Sequence, residues 1–450
     1  MTRLMTTHIV FGLLIGVTAF TPANGDEQLQ DRCDRIAKEV GRLVGIELKK
    51  KVMVQRISRD EYRKSMRSQV EVQFFKKRID GWIRSLQFLG LFDDYFDFEE
   101  LLDHAETATN ANYSPATKMI QIIPGSESSE TDETVFHELV HAAQDQRHDL
   151  NRIWEQLDTL GSTDAMMAFR FLLEGEAVFW PMLYQRRMTL EQAVRLSPES
   201  QSEVFGDDRP VTSETIVRNF ENNAKRDPRF NDVALAMKRS PPLIVRLFCL
   251  PYIKGDNAVL RIVKRDGRQA LRQSFEDLSS LNTRDMLFPN PQNEKLRSVT
   301  KVQLPLVENK LGIPWKLKHA DTMGALVLHT MFEQRGDRAT EIARSWNGDR
   351  IELWEDADDG VVLFGRVEFE TAEAATLFES ELIRLCRENW MREKTILELE
   401  SDGTHLAADT EHFVLERREC SVVFLRSTGC KNAATVASAL WENETKPPKH

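Results

Sequence analysis

The sequence predicts an α+β fold in two parts: a mainly helical region with a small sheet, and a C-terminal module with an antiparallel sheet. Apolar residues recur at helical spacing through most of the first 300 residues, with short strand-like runs between them. After residue 349, the order strand, turn, strand, helix occurs twice. Two such ββα units predict one antiparallel sheet with two helices against one face.

Length and composition indicate a folded chain of two or three domains. The 450 residues are 41% hydrophobic and 29% charged, which supplies enough apolar material for a substantial core. The formal net charge is −11, and no block of Lys or Arg stands out. Proteins whose main partner is nucleic acid carry the opposite charge pattern, so we expect no nucleic-acid partner.

The first 25 residues are typical of a secretory signal peptide. Arg3 supplies a positive charge, the apolar run IVFGLLIGVTAF follows, and Ala23 and Gly25 occupy the small-residue positions of a cleavage site. The apolar run is too short to span a bilayer comfortably, and no other segment comes close. We therefore expect a secreted or periplasmic protein without an integral membrane segment after cleavage.

The cysteines do not predict a disulfide scaffold. Five of them follow the signal peptide, an odd number at wide spacing. Cys420 and Cys430 flank a strand-like run that would hold them about 30 Å apart, so we do not expect them to pair with each other. A bond from Cys386 to one of these two stays open at the level of sequence.

The first predicted domain after the signal peptide covers residues 26–300. It begins with two helical stretches, IAKEVGRLVGIEL and EVQFFKKRIDGWIRSLQFLGL, on either side of a strand at KVMVQRI. Next, ANYSPATKMIQIIP predicts a turn followed by a short strand. The polar loop GSESSETDE then supplies N-cap residues and acidic side chains that favour the start of a helix.

A long apolar helix is predicted for TDAMMAFRFLLEGEAVFWPMLYQRR, where Pro181 marks a kink or a stop. The polar stretch SPESQSEVFGDDRP after it predicts a loop, and more helix follows. The character of the sequence changes near residues 300–305. We place the start of the second domain there, with residues 301–450 as a C-terminal α+β module.

Within this module, RIELWED and VVLFGRVEFE predict one hairpin, and EHFVLERRE and CSVVFLRST predict another. Asp359 and Gly360 form a favoured pair for the turn of the first hairpin. The neighbouring acids in EDADDG lack the ligand series and the terminal glutamate of a calcium-binding EF-hand loop. We therefore interpret this segment as a turn.

The stretch FHELVHAAQDQ, residues 136–146, contains the pattern HExxH. On a helix, His137 and His141 lie on one face one turn apart, so both can bind one ion. Glu138 points about 100° away from His137 and cannot be a third ligand. It can still act as the general base for a water whose pKa zinc lowers. Because the flanking residues are apolar, the imidazoles are predicted to be buried and to need polar partners, which a metal supplies.

The third ligand has two candidates. His148 lies one residue too far from His141 for the HExxHxxGxxH pattern and lacks its glycine, so we reject it as a ligand. Glu174 lies in the apolar stretch FRFLLEGEAVFW, far enough along the chain for a return helix to bring its carboxylate back. Two histidines, a glutamate and a water form a standard catalytic zinc site. We predict that Glu174 is the ligand and that Glu176 orients the ligands without binding the metal itself.

These motifs resemble a family of exported bacterial zincin-like proteins, in which a HELxHALQDQ helix is followed by EGDA or EGEA. Looser similarities run from about residue 35 to 390, in NANYSPATKMIQIIP before the helix, in LFCLPYIKGDNAVLRIVKRDG and in SWNGDRIELWED. The sequence departs from the family pattern at DGR (Asp266–Arg268) and at NTRDMLFP. These departures concern the substrate side rather than the metal ligands.

The resemblance implies a gluzincin-like metallopeptidase with zinc on His137, His141 and Glu174 and with Glu138 as the base. The expected partner is a peptide or protein substrate. The alternative is a non-catalytic binding or structural protein on a zincin scaffold, whose C-terminal module binds a partner or covers the cleft.

A peptidase also needs a group that stabilises the oxyanion of the tetrahedral intermediate. The resemblance includes Tyr252, in LPYIKG, and makes it our first candidate for this catalytic role. The alternatives that the sequence leaves open are Tyr184, Arg170 and Arg350.

Overall fold

The computed structural model describes residues 27–64, 75–92, 109–123, 131–207, 209–226, 230–289, 299–311, 315–390, 404–408, 411–430 and 432–441. The predicted signal peptide lies outside these residues. The described residues fall into two compact units. The first lies within residues 1–76, 97–160 and 166–279, and the second within 77–96, 161–165 and 280–450. The predicted domain boundary at residue 300 stays a prediction.

The described helices are α1 (Glu27–Val44), α2 (Phe75–Phe88), α3 (Asp132–His148), α4 (Leu150–Leu160), α5 (Thr163–Gln185), α6 (Leu190–Val194), α7 (Pro198–Phe205), α8 (Ser213–Arg226), α9 (Asn231–Arg239), α10 (Pro242–Ser274), α11 (Thr283–Leu287), α12 (Glu308–Leu311), α13 (Gly324–Met331), α14 (Asp337–Ser345), α15 (Ala372–Leu385) and α16 (Ala433–Ala439). The described strands are β1 (Met53–Arg56), β2 (Ala111–Ser114), β3 (Met119–Ile122), β4 (Lys316–Asp321), β5 (Trp346–Glu355), β6 (Val361–Phe369), β7 (Thr404–Ala408), β8 (Glu411–Arg418) and β9 (Ser421–Thr428). The predicted α+β class is confirmed. None of the described helices combines the length and the apolar character that a membrane crossing requires.

The first unit contains a small sheet with the order β1–β3–β2. Strand β1 pairs with β3 in parallel, and β2 pairs with β3 in antiparallel orientation. The sequence predicted a turn and one strand in this region, and the structure has a full hairpin, β2 and β3. Helix α3 packs against β2 and β3, and α1 packs against α3 and β1.

Helix α1 shows why these helices pack as they do. Its buried residues include Leu29, Cys33, Ile36, Val40 and Leu43, which recur every three or four positions and so form one stripe. Burial of such a stripe stabilises a helix more than its intrinsic propensity does, because short helices are marginal in water.

Two expectations about helix ends are resolved by the structure. Helix α5 continues through Pro181 and ends at Gln185, so this proline is not a stop. The predicted loop SPESQSEVFGDDRP was wrong over its first half, because residues 198–205 form α7. Ser197 caps α7 and Pro198 occupies its first turn, where a proline loses no hydrogen bond. This Ser-Pro pair was the signal for the helix.

The second unit contains a six-stranded antiparallel sheet with the order β4–β5–β6–β9–β8–β7. The two predicted ββα units are confirmed as β5–β6–α15 and β8–β9–α16. The predicted turn between β5 and β6 is confirmed as well. Asp359 has a φ of 62°, and the Asp356 carboxylate accepts the N–H groups of Asp358 and Gly360 at 2.9 and 2.7 Å.

The expectation that both helices cover one face of this sheet was wrong. Glu379 of α15 accepts from Arg417 at 2.7 Å, whereas Ser438 of α16 donates to Glu416 at 3.2 Å. Glu416 and Arg417 are neighbours on β8, and successive residues of a strand point to opposite faces. Helices α15 and α16 therefore lie on opposite faces.

The central strands explain this arrangement. Every residue of Val361–Gly365 in β6 and of Ser421–Leu425 in β9 is buried, so both faces of the sheet need a cover. A strand that is buried on both sides has a continuous apolar run rather than an alternating one. The continuous apolar runs VVLF and VVFL were the feature of the sequence that indicated burial on both faces.

Three buried carboxylates bind the first residues of helices in the second unit. Asp321 accepts the backbone N–H of Thr163 at 2.7 Å and also its hydroxyl at 2.6 Å. Asp349 accepts the N–H of Gly324 at 2.9 Å, and Asp164 accepts the N–H of Thr283 at 2.9 Å. Each carboxylate thus satisfies backbone donors that would otherwise be buried without a partner.

All five cysteines are free thiols. Cys386 therefore forms no disulfide, which settles the pairing that the sequence left open. Burial raises the pKa of Cys33, Cys249 and Cys386 to about 12 in each case. These three are inert core residues, because the thiolate is the reactive form of cysteine.

Candidate metal centre

Helix α3 carries the HExxH motif in a fully buried setting. Thr131 caps the helix by accepting the N–H of Thr134 at 3.2 Å, and Asp132 and Glu133 lie at the positive end of the helix dipole. All twelve residues from Thr134 to Asp145 are buried. The polar side chains among them consequently depend on protein groups or bound ligands for their hydrogen bonds.

His137, His141 and Glu174 converge on one point. The Nε2 atoms of the two imidazoles are 3.1 Å apart. Glu174 Oε2 lies 3.5 Å from His137 Nε2 and 3.4 Å from His141 Nε2. The predicted return helix is α5, which brings Glu174 to the histidines of α3. Among the described residues, these three form the only group of three or more His, Cys, Asp or Glu side chains placed to share an ion.

The three distances fit a divalent metal. In a tetrahedral zinc site with bonds of about 2.0–2.1 Å, the ligand atoms lie about 3.3 Å from one another. The observed separations of 3.1, 3.4 and 3.5 Å bracket that value. Both Glu174 oxygens are buried and have no hydrogen-bond partner in the described part of the chain. A metal ion would satisfy this carboxylate, so the residues fit the predicted cofactor.

Glu138 is held next to this group with one oxygen available. Its Oε2 accepts the backbone N–H of Tyr113 in β2 at 2.6 Å, and its Oε1 is buried with no hydrogen-bond partner among the described residues. Burial raises the pKa of Glu138 to about 7, although the charge of His141 opposes the rise. A carboxylate with a pKa near neutrality suits a general base.

Tyr252 of α10 faces the same group. Its ring stacks on the His137 ring with 6.3 Å between the centroids, and its hydroxyl is buried with no hydrogen-bond partner among the described residues. Burial, and then the charge of Glu174, raises the pKa of Tyr252 well above 10. The phenol therefore keeps its proton at neutral pH and can donate it in a hydrogen bond.

A contact between two glycines brings α5 and α10 this close. A Cβ atom built on Gly175 would lie 2.5 Å from the carbonyl oxygen of Gly255, and one built on Gly255 would lie 2.7 Å from the Cα of Gly175. Any side chain at either position would push the helices apart. Glu174 adjoins Gly175, and Tyr252 is one turn before Gly255. The glycines thus set the separation of these two functional side chains.

A chain of hydrogen bonds orients His141 through Nδ1, the ring nitrogen that does not face the other ligands. Its Nδ1 lies 2.9 Å from Gln144 Oε1, an acceptor, so Nδ1 carries the proton and Nε2 is free for a metal. The Gln144 amide nitrogen donates to Glu176 Oε2 at 2.9 Å and to the carbonyl of Leu173 at 3.1 Å. Trp180 donates to the other Glu176 oxygen at 3.4 Å. Glu176 therefore acts on His141 through Gln144.

The charges of the ligands depend on one another. Burial disfavours the charged form of Glu174, but the two histidines outweigh burial and lower the pKa of Glu174 to about 2. Burial likewise opposes protonation of His141, but Glu174 outweighs it and raises the pKa of His141 to about 9. Without a metal, Glu174 and His141 therefore form a buried ion pair at neutral pH.

Three residues that were considered as a metal ligand or as an oxyanion stabiliser lie outside the metal group. His148 stacks on Phe275 with 4.8 Å between the ring centroids, and burial lowers the pKa of His148 to about 4. Tyr184 packs against Phe136. Arg350 belongs to the second unit, where it donates to the carbonyl of Gly161 at 3.4 Å.

Sequence reasoning missed three parts of this site. It did not identify Gln144, although Gln144 lies three residues after His141 and so shares its helix face. It also missed the Tyr113 N–H, which has no signal in a single sequence, and the Gly175–Gly255 contact, for which the signal is weak. Gly175 stands between two buried glutamates, which was the only hint.

The comparisons with known proteins concern the second unit. A family described as "Domain of unknown function (DUF8575)" matches residues 315–437, and the metal group lies outside this match. No curated protein matches the chain, and no solved structure does. The resemblance to exported zincin-like proteins stays a prediction.

Proposed function

We propose that this protein is an exported zinc metallopeptidase that hydrolyses peptide bonds, with His137, His141 and Glu174 as the ligands. One observation carries the proposal. The described residues offer three ligand atoms rather than four, and an acid and a phenol with unsatisfied oxygens lie beside them. Structural zinc sites are closed by four protein ligands, whereas catalytic ones keep an open position. Export is proposed from the signal-like first 25 residues.

The chain supplies the remaining groups of a hydrolytic site. Zinc would act as a Lewis acid towards water and towards the substrate carbonyl. Glu138 Oε1 takes the proton of the attacking water and later gives it to the leaving nitrogen, while the Tyr113 N–H holds Oε2 in place. The Tyr252 hydroxyl donates to the carbonyl oxygen as negative charge develops on it. Gln144 and Glu176 hold His141 in the tautomer that a metal needs.

The test compares wild type with Glu138→Gln, and Glu155→Gln on the exposed side of α4 serves as the control. We expect about one zinc per chain by elemental analysis for all three proteins. A peptide library should be cut by wild type and by the control, while Glu138→Gln should lose about 10²- to 10⁴-fold in rate, because general base catalysis contributes that much.

Two outcomes would contradict the proposal. If Glu138→Gln cleaves as fast as wild type, Glu138 is not the base. If the wild type holds zinc but cuts nothing, the protein is a non-catalytic one that uses the metal for stability.

A further inference from the structure

Arg170 is a buried cation for which the described residues supply no anionic partner. Its side chain lies in α5 and is 4% exposed. One terminal nitrogen donates to the carbonyl of Leu247 at 3.0 Å, and Nε is buried with no hydrogen-bond partner among the described residues. No carboxylate in the described part of the chain forms an ion pair with Arg170. Burying a charge without a counter-ion is costly, so such a residue points to an anion that binds from outside.

The spacing of residues along α5 and α10 gives the position of Arg170 relative to the metal group. Arg170 precedes Glu174 by one turn of α5. Its guanidinium lies over the ring of Phe248, 5.8 Å from the centroid, and Phe248 precedes Tyr252 by one turn of α10. The Arg170–Phe248 pair thus repeats the Glu174–Tyr252 pair one turn, or about 6 Å, along the groove between the helices.

One further observation bears on access to this pair. Phe248 is half-buried, whereas its neighbours Leu247 and Cys249 are buried, so part of Phe248, which lies against Arg170, is in contact with solvent.

The charge of Arg170 is not needed by the ligands themselves. A divalent cation would already balance the charges of Glu174 and Glu138. Glu176 accepts from Gln144 and Trp180, and no hydrogen bond or ion pair joins it to Arg170. The guanidinium is therefore available to a substrate group.

We propose that Arg170 binds the C-terminal carboxylate of a peptide substrate, so that the enzyme removes single residues from the C-terminus. This rests on the proposed function. Consecutive Cα atoms of a peptide are 3.8 Å apart, so a carboxylate one residue beyond the reacting carbonyl lies about 4–6 Å from it, which matches the one-turn offset. Water adds its oxygen to the carbonyl carbon, the C–N bond breaks, and the proton that Glu138 takes passes to the leaving nitrogen. The products are a shortened peptide and a free amino acid.

The experiment uses two libraries of N-acetylated tetrapeptides that differ only in ending as a free acid or as a carboxamide. With zinc-loaded wild type, we expect the acids to be cleaved roughly 10- to 100-fold faster in kcat/KM, since a buried charge-assisted pair contributes that much. Mass spectrometry should show the loss of one C-terminal residue. In Arg170→Met the preference for free acids should be lost, mainly because KM for the acids rises. Arg170→Lys should restore part of this preference. Arg152→Met, an exposed residue of α4, is the control and should match wild type.

A binding measurement separates this proposal from the proposed function. Zinc-loaded Glu138→Gln should bind an N-acetylated tetrapeptide acid at least about tenfold tighter than the amide by calorimetry, and Arg170→Met in that background should remove the difference. Equal binding of acid and amide overturns the carboxylate site, whether or not the protein is a peptidase. Equal cleavage of the two libraries also overturns it, but leaves the peptidase proposal intact.

Discussion

Gly175 is the position where a single methyl group should disrupt the site. In Gly175→Ala, the new Cβ atom would lie 2.5 Å from the carbonyl oxygen of Gly255 and 2.6 Å from its carbonyl carbon. To reach an ordinary contact of 3.4 Å, α5 and α10 must separate by about 0.9 Å. Because both clashing atoms belong to the backbone, no side-chain rotation relieves the contact. We expect a loss of about 3 kcal/mol in the free energy of unfolding, at the upper end for an overpacked core.

The assay is thermal unfolding together with a zinc competition titration. A loss of this size should lower the Tm by about 6–12 °C in a unit of this size. The zinc affinity should fall as well, since Glu174 adjoins the displaced backbone. Gly41→Ala in α1 is the matched control, because its Cβ would meet nothing closer than 3.7 Å. That variant should gain about 0.5–1 kcal/mol from the higher helix propensity of alanine. An unchanged Tm and zinc affinity in Gly175→Ala would refute the role of the glycine contact.

Three further predictions concern the metal. Gln144→Leu should weaken zinc binding about 10- to 100-fold in a competition titration, because His141 loses the partner that fixes its tautomer; Gln185→Leu, an exposed residue at the end of α5, should bind zinc like wild type. Zinc at 100 times its Kd should stabilise the metal-free protein by about 2.7 kcal/mol, and a Tm that does not respond to added zinc would contradict a folded-state site. In the metal-free protein, the His141 pKa is raised from 6.5 to about 9, so the contribution of charged His141 to the free energy of unfolding is complete below pH 6.5 and is lost as the pH rises to 9. The Glu174 pKa is lowered from 4.5 to about 2, so the contribution of charged Glu174 to the same free energy is complete above pH 4.5 and is lost as the pH falls. The Tm without metal should therefore be highest between pH 4.5 and 6.5, and a flat profile from pH 5 to 9 would count against the ion pair.

The sequence by itself determined the local parts of this protein. His137, Glu138 and His141 lie within five consecutive residues of one helix, and the 3.6-residue period alone places the two imidazoles on one face. The strand at Met53–Arg56, the turn at Asp359 and both ββα units also follow from short-range patterns and turn residues. Each of these features follows from patterns within one continuous segment of the chain.

Tertiary structure decided which distant residues meet. Glu174 was predictable as a candidate, because a carboxylate in an apolar helix needs a partner, but its distances to the histidines depend on how α5 packs against α3. The glycine contact, the burial of Arg170 against Leu247 and Phe248, and the placement of the helices on opposite faces of the sheet also depend on tertiary packing. They depend on contacts between segments far apart in the chain, and the spacing of residues within one segment carries no information about the partner it packs against.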